Sequence, residues 1–250
     1  AQLVVNTTPV GMYPNTGAAA VDLRAFPQCA GVFDIVYNPA RTALLMQAEQ
    51  LGIPNAGGLS MLVAQARRSA EIFTGTAIPD AALRNVEHAV RARLENIVLI
   101  GMPGCGKSTV ARLLGAETGR EVVECDAYIE QKAGKTIPEI FAEGGEQTFR
   151  RLETEALREL GKRSGLILST GGGCVTRSEN YPLLHQNGTI FWLLRSPWKL
   201  PSEGRPLSQL ESAEAMYARR EPMYRRFTDV KIDNEGAIER AVAAIRRYME

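Results

Sequence analysis

Residues Gly101-Met-Pro-Gly-Cys-Gly-Lys107-Ser108 link an apolar strand-like run, Ile97-Val98-Leu99-Ile100, to an amphipathic stretch from Thr109 to Thr118. Strand, glycine loop and helix in that order leave few folds open, because the loop must sit at the carboxyl edge of a sheet and at a helix N-terminus. Glycines let successive backbone N–H groups curl around phosphate oxygens, and the helix dipole adds a favourable potential. Lys107 is placed to reach the outer phosphates, and the Ser108 hydroxyl to hold a Mg²⁺ that bridges them. Gly104, Cys105, Gly106, Lys107, Ser108 and Thr109 are the residues expected to cradle a nucleoside triphosphate.

The rest of the chain falls into two halves. From Asn96 onward, β-rich segments at 97–100, 121–124, 166–169, 189–194 and 229–232 alternate with helical stretches. Such alternation predicts an α/β fold, a parallel sheet with helices on both faces. Thr136-Ile-Pro-Glu139 is a capping box. Phe149, Leu152, Ala156, Leu157 and Leu160 share one helical face, expected to bury against the sheet, while Arg150 and Glu153 lie on another face within pairing reach. Residues 1–75 read as strand (3–6), long loop, strand (32–37) and helices at 42–51 and 59–74, a partial Rossmann-like α/β segment. A helical stretch opens at Pro79-Asp80 with an apolar stripe of Leu83, Val86, Val90 and Leu94, expected to connect the halves and pack on one of them. The predicted domains are 1–78, a connector at 79–95, and 96–250. Because strand-like Leu3-Val4-Val5 follows Ala1 at once, the chain is read as part of something longer.

With 29 Lys and Arg against 28 Asp and Glu, nothing favours a nucleic acid or membrane partner. No apolar run approaches the ~20 residues needed to span a bilayer. The four cysteines form no C-x-x-C pair and there are two histidines. That argues against zinc and a disulfide framework and predicts a cytoplasmic protein.

Four features point to the group that accepts the phosphoryl. The strand at 121–124 ends in Glu124-Cys125-Asp126, two carboxylates on the same side of an extended chain at the sheet's carboxyl edge. They are the candidates for Mg²⁺ and base duties. Gly171-Gly172-Gly173 follows another strand; three glycines in series mark either close backbone approach to a ligand or a plain turn. Arg205 lies in a loop with Pro197, Pro201 and Gly204, suited to a lid, the alternative being a surface pair with Glu203 or Glu211. Arg220 stands two residues before Pro222, taken as a helix breaker. Cys105, beside Lys107 and the helix start, is a candidate reactive thiol, with simple packing as the alternative.

These motifs resemble the shikimate kinase family of P-loop kinases across residues 96–250: the loop Gly-x-Pro-Gly-x-Gly-Lys-Ser-Thr, Asp126 with Ile129-Glu130, Gly145-Glu-Gln-x-Phe-Arg150-Arg-x-Glu153, Gly171–Gly173, Arg205-Pro-Leu, and Arg220-x-Pro-x-Tyr224. The resemblance implies transfer of the ATP γ-phosphate to the shikimate 3-hydroxyl, with Mg²⁺. It implies that Asp126 binds the ring hydroxyls and takes the proton, that Arg150 and Arg220 clamp the carboxylate, and that Gly172 makes a backbone contact. Glu153 would hold Arg150, and Arg205 would reach the phosphates. Two departures stand out. Glu124 replaces the family's usual Asp, which touches Mg²⁺ through water, and the stretch Ser196–Gly204 is short, with Lys199 the candidate for the basic residue against adenine.

Residues 1–75 resemble the C-terminal part of shikimate dehydrogenase in Asn6-Thr-Thr-Pro-x-Gly11-Met12, Val36-Tyr37-Asn-Pro and Gly57-Gly58-Leu-x-Met61-Leu-x-x-Gln65-Ala66. The family's glycine turn and catalytic Lys and Asp have no counterpart here, so no dehydrogenase activity is expected. The reading is a shikimate kinase within a bifunctional dehydrogenase/kinase chain. The alternatives are a gluconate kinase-like enzyme or a non-catalytic nucleotide-binding module. A monomer is the working expectation for the kinase half.

Overall fold

The boundary between Glu95 and Asn96 divides the chain into two compact units, each with its own parallel sheet. The computed structural model describes residues 1–200 and 212–249.

In the first unit, β1 (Leu3–Asn6), β2 (Gly31–Asp34) and β3 (Asn55–Ala56) lie in the order β1-β2-β3. They are joined through α1 (Ala43–Gln50) and followed by α2 (Leu59–Thr74) and α3 (Asp80–Leu94). Leu23, Val32, Leu44, Leu45 and Ala48 form the small core. The carboxyl edge is held by the fully buried Asp34, which accepts from Asn6 Nδ2 (3.0 Å), the Val36 N–H (3.1 Å) and Thr42 Oγ (2.7 Å). By taking the Val36 amide, Asp34 turns the chain off the ladder, so β2 stops there and does not run to residue 37 as the apolar run suggested. The α3 stripe does not bury: no residue of this helix is buried, and Val86 remains 51% exposed. Polar contacts tie α3 to α2 instead, Ser60 Oγ donating to Glu87 (2.7 Å) and Arg67 pairing with Asp80 (2.5 Å).

In the second unit, consecutive Ile97-Val98-Leu99-Ile100 in β4 (Asn96–Ile100) are all buried, as expected of a central strand covered on both faces. Then come α4 (Lys107–Thr118), β5 (Val122–Glu124), α5 (Cys125–Ala133), α6 (Ile137–Leu160) and β6 (Ile167–Ser169). The chain continues through α7 (Asn180–His185), β7 (Gly188–Leu194), α8 (Ala213–Phe227), β8 (Val230–Asp233) and α9 (Ile238–Met249). The strands are parallel in the order β5-β6-β4-β7-β8, with Val98 beside both Leu168 and Ile190.

The capping box of α6 forms, Thr136 Oγ accepting from the Glu139 N–H and the Glu139 carboxylate accepting from the Thr136 N–H. The apolar face of α6 divides its partners. Leu157 and Leu160 join the core against the sheet, whereas Phe149 and Ala156 pack with Ile129 and Ile140. Ahead of Phe149, α6 kinks at Gly145, whose φ of 68° and ψ of −176° only glycine adopts readily. Pro222 does not break α8 but sits inside it. Glu124 closes β5 and Asp126 lies in the first turn of α5, so the two carboxylates do not share one extended segment. A carboxylate is favoured there by the helix dipole.

Asn96 closes the opposite, amino edge of this sheet. Its amide donates to the Arg163 carbonyl (2.7 Å) and accepts from the Leu166 N–H (2.8 Å), fully buried. Asn96→Ala leaves both backbone groups without a partner, and should lower the stability of this unit by about 2–4 kcal/mol. Both tryptophans, Trp192 and Trp198, belong to residues 96–250, so the urea midpoint followed by tryptophan fluorescence measures it.

Candidate active site

The carboxyl ends of β4, β5 and β6 converge with the middle of α8. After Ile100 the chain turns through Gly104 and Gly106, at φ of 82° and 100°, into α4. Lys107 opens that helix with its side chain folded back over the loop, Nζ donating to the carbonyls of Gly101 (2.9 Å) and Met102 (3.0 Å). The ammonium is thus held over the turn rather than free to swing. Lys107, Ser108 and Thr109 are the first-turn residues of α4, whose N–H groups have no partner within the helix. Cys105 is fully buried; its N–H donates to the Met102 carbonyl (3.1 Å) and its carbonyl accepts from Asn234 Nδ2 (2.6 Å). The thiol packs in the core, which rules against the exposed reactive cysteine. Cys125 and Cys174 are buried too, and burial pushes Cys174 up to about 12.

Ser108 Oγ donates to Glu124 Oε2 at 2.9 Å, while Glu124 Oε1 is buried without a hydrogen-bond partner. A hydroxyl beside a carboxylate whose second oxygen lacks a donor forms a set of hard oxygen ligands that fits Mg²⁺.

Asp126 faces the glycine triplet. Burial raises its carboxyl above the usual range, and the nearby positive charges of Lys107 and Arg150 oppose that shift. None of the three glycines has a positive φ, so their requirement is space. A Cβ on Gly171 would lie 2.8 Å from both Asp126 Oδ1 and Glu153 Oε1, one on Gly172 2.6 Å from Pro103, and one on Gly173 2.1 Å from the Arg150 guanidinium. The triplet is the surface against which the acid, the cation and the phosphate loop are all packed. The triplet is thus more than a plain turn: its tight spacing is to the chain's own Asp126, Glu153, Pro103 and Arg150.

Arg150 and Glu153 form a buried ion pair, Nη1 to Oε2 at 2.8 Å, with side chains 7% and 1% exposed. Glu146 takes the other edge of the guanidinium, Oε1 accepting from Nε (3.2 Å) and Nη2 (3.1 Å). Across the triplet, Arg220 Nη1 donates to the Gly172 carbonyl (3.2 Å), which also accepts from Tyr224 OH (2.5 Å), and Arg220 Nε is buried without a hydrogen-bond partner. Tyr224 stacks on Trp192 (5.6 Å), fixing this turn of α8 against β7. Two arginines thus lie against the glycine triplet that Asp126 also faces, an arrangement suited to a small polar molecule carrying one carboxylate.

Every sequence-predicted site residue among the described ones lies at this edge. Arg205, with Glu203, Gly204 and Glu211, lies outside the described residues. Lys199 pairs with Glu235 (2.8 Å), whose carboxyl is held at about 2 by Lys199 and Ser196. Sequence reasoning missed Glu146, although its spacing of four from Arg150 could have found it. It also missed Asn234, which no local signal marks.

The geometry agrees with what the chain is similar to. A family model described as shikimate kinase matches residues 103–250. A shikimate kinase of Prochlorococcus marinus is 40% identical over 149 residues, covering 55% of this chain and 77% of that protein. The structure of a shikimate kinase from Acinetobacter baumannii in complex with shikimate superposes with a TM-score of 0.59 at 36% identity, covering 65% of this chain and 96% of that one. A shikimate dehydrogenase from Peptoclostridium difficile matches at 35% identity over 36% of this chain and 33% of that one, with a TM-score of 0.34.

The buried pair has a pH signature. Burial, opposed by Arg150, lifts the Glu153 carboxyl from 4.5 to about 7. A carboxyl raised in the folded state contributes stability that is complete below its unfolded value and is lost as pH climbs through its folded one. The wild-type protein should therefore lose this contribution between about pH 4.5 and 7, and Glu153→Gln should not. Melting temperatures at pH 5, 6, 7 and 8 check it: the variant's Tm relative to wild type should rise across that window.

Proposed function

The chain belongs to the shikimate kinase family, and on that premise we propose how its own residues carry the transfer of the ATP γ-phosphoryl group to shikimate. The acceptor atom in this proposal is the 3-hydroxyl. The observation that carries the reading is the pair of arginines, Arg150 and Arg220, set with Asp126 around a triplet of glycines packed too tightly for any side chain. A gluconate kinase-like enzyme also uses a P-loop and would also meet a carboxylate, so it is the shikimate kinase family match that favours shikimate over gluconate.

Arg150 and Arg220 grip the carboxylate, and the ring hydroxyls meet Asp126. The raised pKa of Asp126 makes it a stronger base than an exposed carboxylate, suited to taking the proton of the attacking hydroxyl. Lys107, held over the loop by the Gly101 and Met102 carbonyls, balances charge on the transferring phosphoryl group, and the first-turn amides of α4 orient the phosphates. Ser108 and Glu124 are the residues that would hold Mg²⁺, Glu124 through water; the ion would neutralise phosphate charge. Arg205 is proposed to add a further positive charge at the phosphates. Among the described residues no helix is long and apolar enough to cross a membrane, and a cytoplasmic location is part of the proposal.

We assign residues 1–78 to the C-terminal part of a shikimate dehydrogenase-like domain, with 79–95 connecting it to the kinase in a bifunctional chain. The motifs at 6–12, 36–39 and 57–66 support this, as does a parallel sheet whose carboxyl edge is organised by Asn6, Asp34 and Thr42.

A coupled ADP-release assay with shikimate, quinate and gluconate tests the kinase reading. Shikimate should be the preferred acceptor. Asp126→Asn should lower kcat/KM for shikimate by roughly 10²–10⁴-fold. Arg150→Ala or Arg220→Ala should raise the shikimate KM about tenfold or more and the ATP KM far less, since a lost charge-assisted contact is worth about 1.5–3 kcal/mol. Equal effects on both substrates would overturn the clamp. The dehydrogenase-like segment lacks the glycine turn and catalytic lysine, so the chain should show no shikimate-dependent NADP⁺ reduction when absorbance is followed at the reduced-cofactor band.

A further inference from the structure

The guanidinium edge best shaped for a substrate carboxylate is already taken. Arg150 presents two edges: Nη1 is committed to Glu153, buried with it, and the Nε/Nη2 edge is committed to a single oxygen of Glu146. Side-on binding through Nε and Nη2 is the geometry in which a guanidinium forks a carboxylate. The two partners differ in one respect that decides their roles: Glu153 is 1% exposed and Glu146 is 51% exposed. Removing Glu153 would strand a buried cation, whereas Glu146 can leave for water at little cost.

Glu146 also stands at the start of a helical segment. It follows Gly145, where α6 kinks through a conformation essentially confined to glycine and where a Cβ would meet nothing within 4 Å. Glu146 begins the helical segment that carries Arg150 one turn later, so the contact forms by default whenever that segment is helical. Phe149 lies against the guanidinium, 5.2 Å from ring centroid to Cζ, and Gly173 closes another side. The edge held by Glu146 remains the exchangeable one.

We propose that Glu146 is a built-in surrogate for the substrate carboxylate: it holds the Nε/Nη2 edge of Arg150 in a binding-ready orientation, and the incoming carboxylate displaces it into water by rotation of its half-exposed side chain. This rests on the shikimate reading above. Glu146 thereby sets a threshold for acceptor recognition. A ligand with a carboxylate recovers the fork it displaces, and a carboxylate-free ring leaves Glu146 in place and has only its hydroxyls to bind with.

Titration calorimetry of shikimate into the full chain, compared with Glu146→Gln and Glu146→Ala, tests the proposal without relying on turnover. Removing a half-exposed competitor should tighten shikimate binding about two- to fivefold, more for Ala than for Gln, which keeps a neutral acceptor. The primary-alcohol analogue of shikimate, lacking the carboxylate, should bind wild type and variants alike. Glu143→Gln, which removes a charge paired with Lys135 elsewhere on α6, should leave shikimate affinity unchanged and so separate displacement from general electrostatics. Coincident melting curves establish that the variants fold. Unchanged or weaker shikimate binding in Glu146→Ala, or equal tightening in Glu143→Gln, overturns the surrogate role. If wild type binds no shikimate at all, it is the substrate assignment that fails.

Discussion

The acceptor side depends on one constraint: a guanidinium and a carboxylate, Arg150 and Glu153, buried together beneath a backbone that has no side chains to spare. Charges removed from water are tolerable only when their remaining hydrogen-bonding capacity is met and their geometry is fixed. Here the glycine triplet supplies the fixed wall. Because Gly173 lies against the guanidinium and Gly171 against both Asp126 and Glu153, the cation, its counter-ion and the base cannot move independently. A single added methyl group anywhere in Gly171–Gly173 would push on one of the groups assigned to the chemistry. Burial of Glu153 is also why its carboxyl keeps its proton up to about 7, with Arg150 and Arg220 favouring the charged form.

The donor side is arranged by different means. There the backbone does the work, with Gly104 and Gly106 turning the chain into α4 and the Gly101 and Met102 carbonyls holding Lys107. The two sides meet at Met102 and Pro103. Pro103 packs on Gly172, and Tyr224 OH, while donating to the Gly172 carbonyl, lies 3.9 Å from Met102 Sδ. The phosphate loop and the proposed carboxylate clamp are therefore parts of one packed body.

Much of this was legible in the sequence because it is carried by short-range spacing. The strand, loop and helix around Lys107 follow from local composition, the capping box from Thr136 and Glu139, and the Arg150–Glu153 pair from a helical spacing of three. What was not legible depended on partners distant in sequence. Three glycines announce that space is tight, but not that Asp126, Pro103 and Arg150 fill it. The stripe of α3 has helical period, yet period alone names no surface to bury against, and none of those side chains is fully buried. The end of β2 was misplaced because a side chain, Asp34, competes for a backbone amide that the apolar pattern assigns to the ladder. Glu124 and Asp126 were read as one strand end, whereas the helix begins between them.

Pro222 inside α8 bears on how firmly the second arginine is aimed. A proline offers no N–H to the carbonyl four residues earlier, that of Ala218, so the helical ladder lacks a rung across the turn that carries Arg220. Such a gap lowers the energy needed to bend a helix at that point. The two ends of that turn are anchored unequally: Tyr224 is locked against Trp192 and Gly172, while Arg220 holds the same carbonyl through one longer bond. The missing rung spans the turn that carries Arg220, which is 2% exposed, whereas Arg150, 6% exposed, stands on a turn that holds no proline. Of the two arginines proposed as a clamp, one is mounted on a complete ladder and the other across a gap in one.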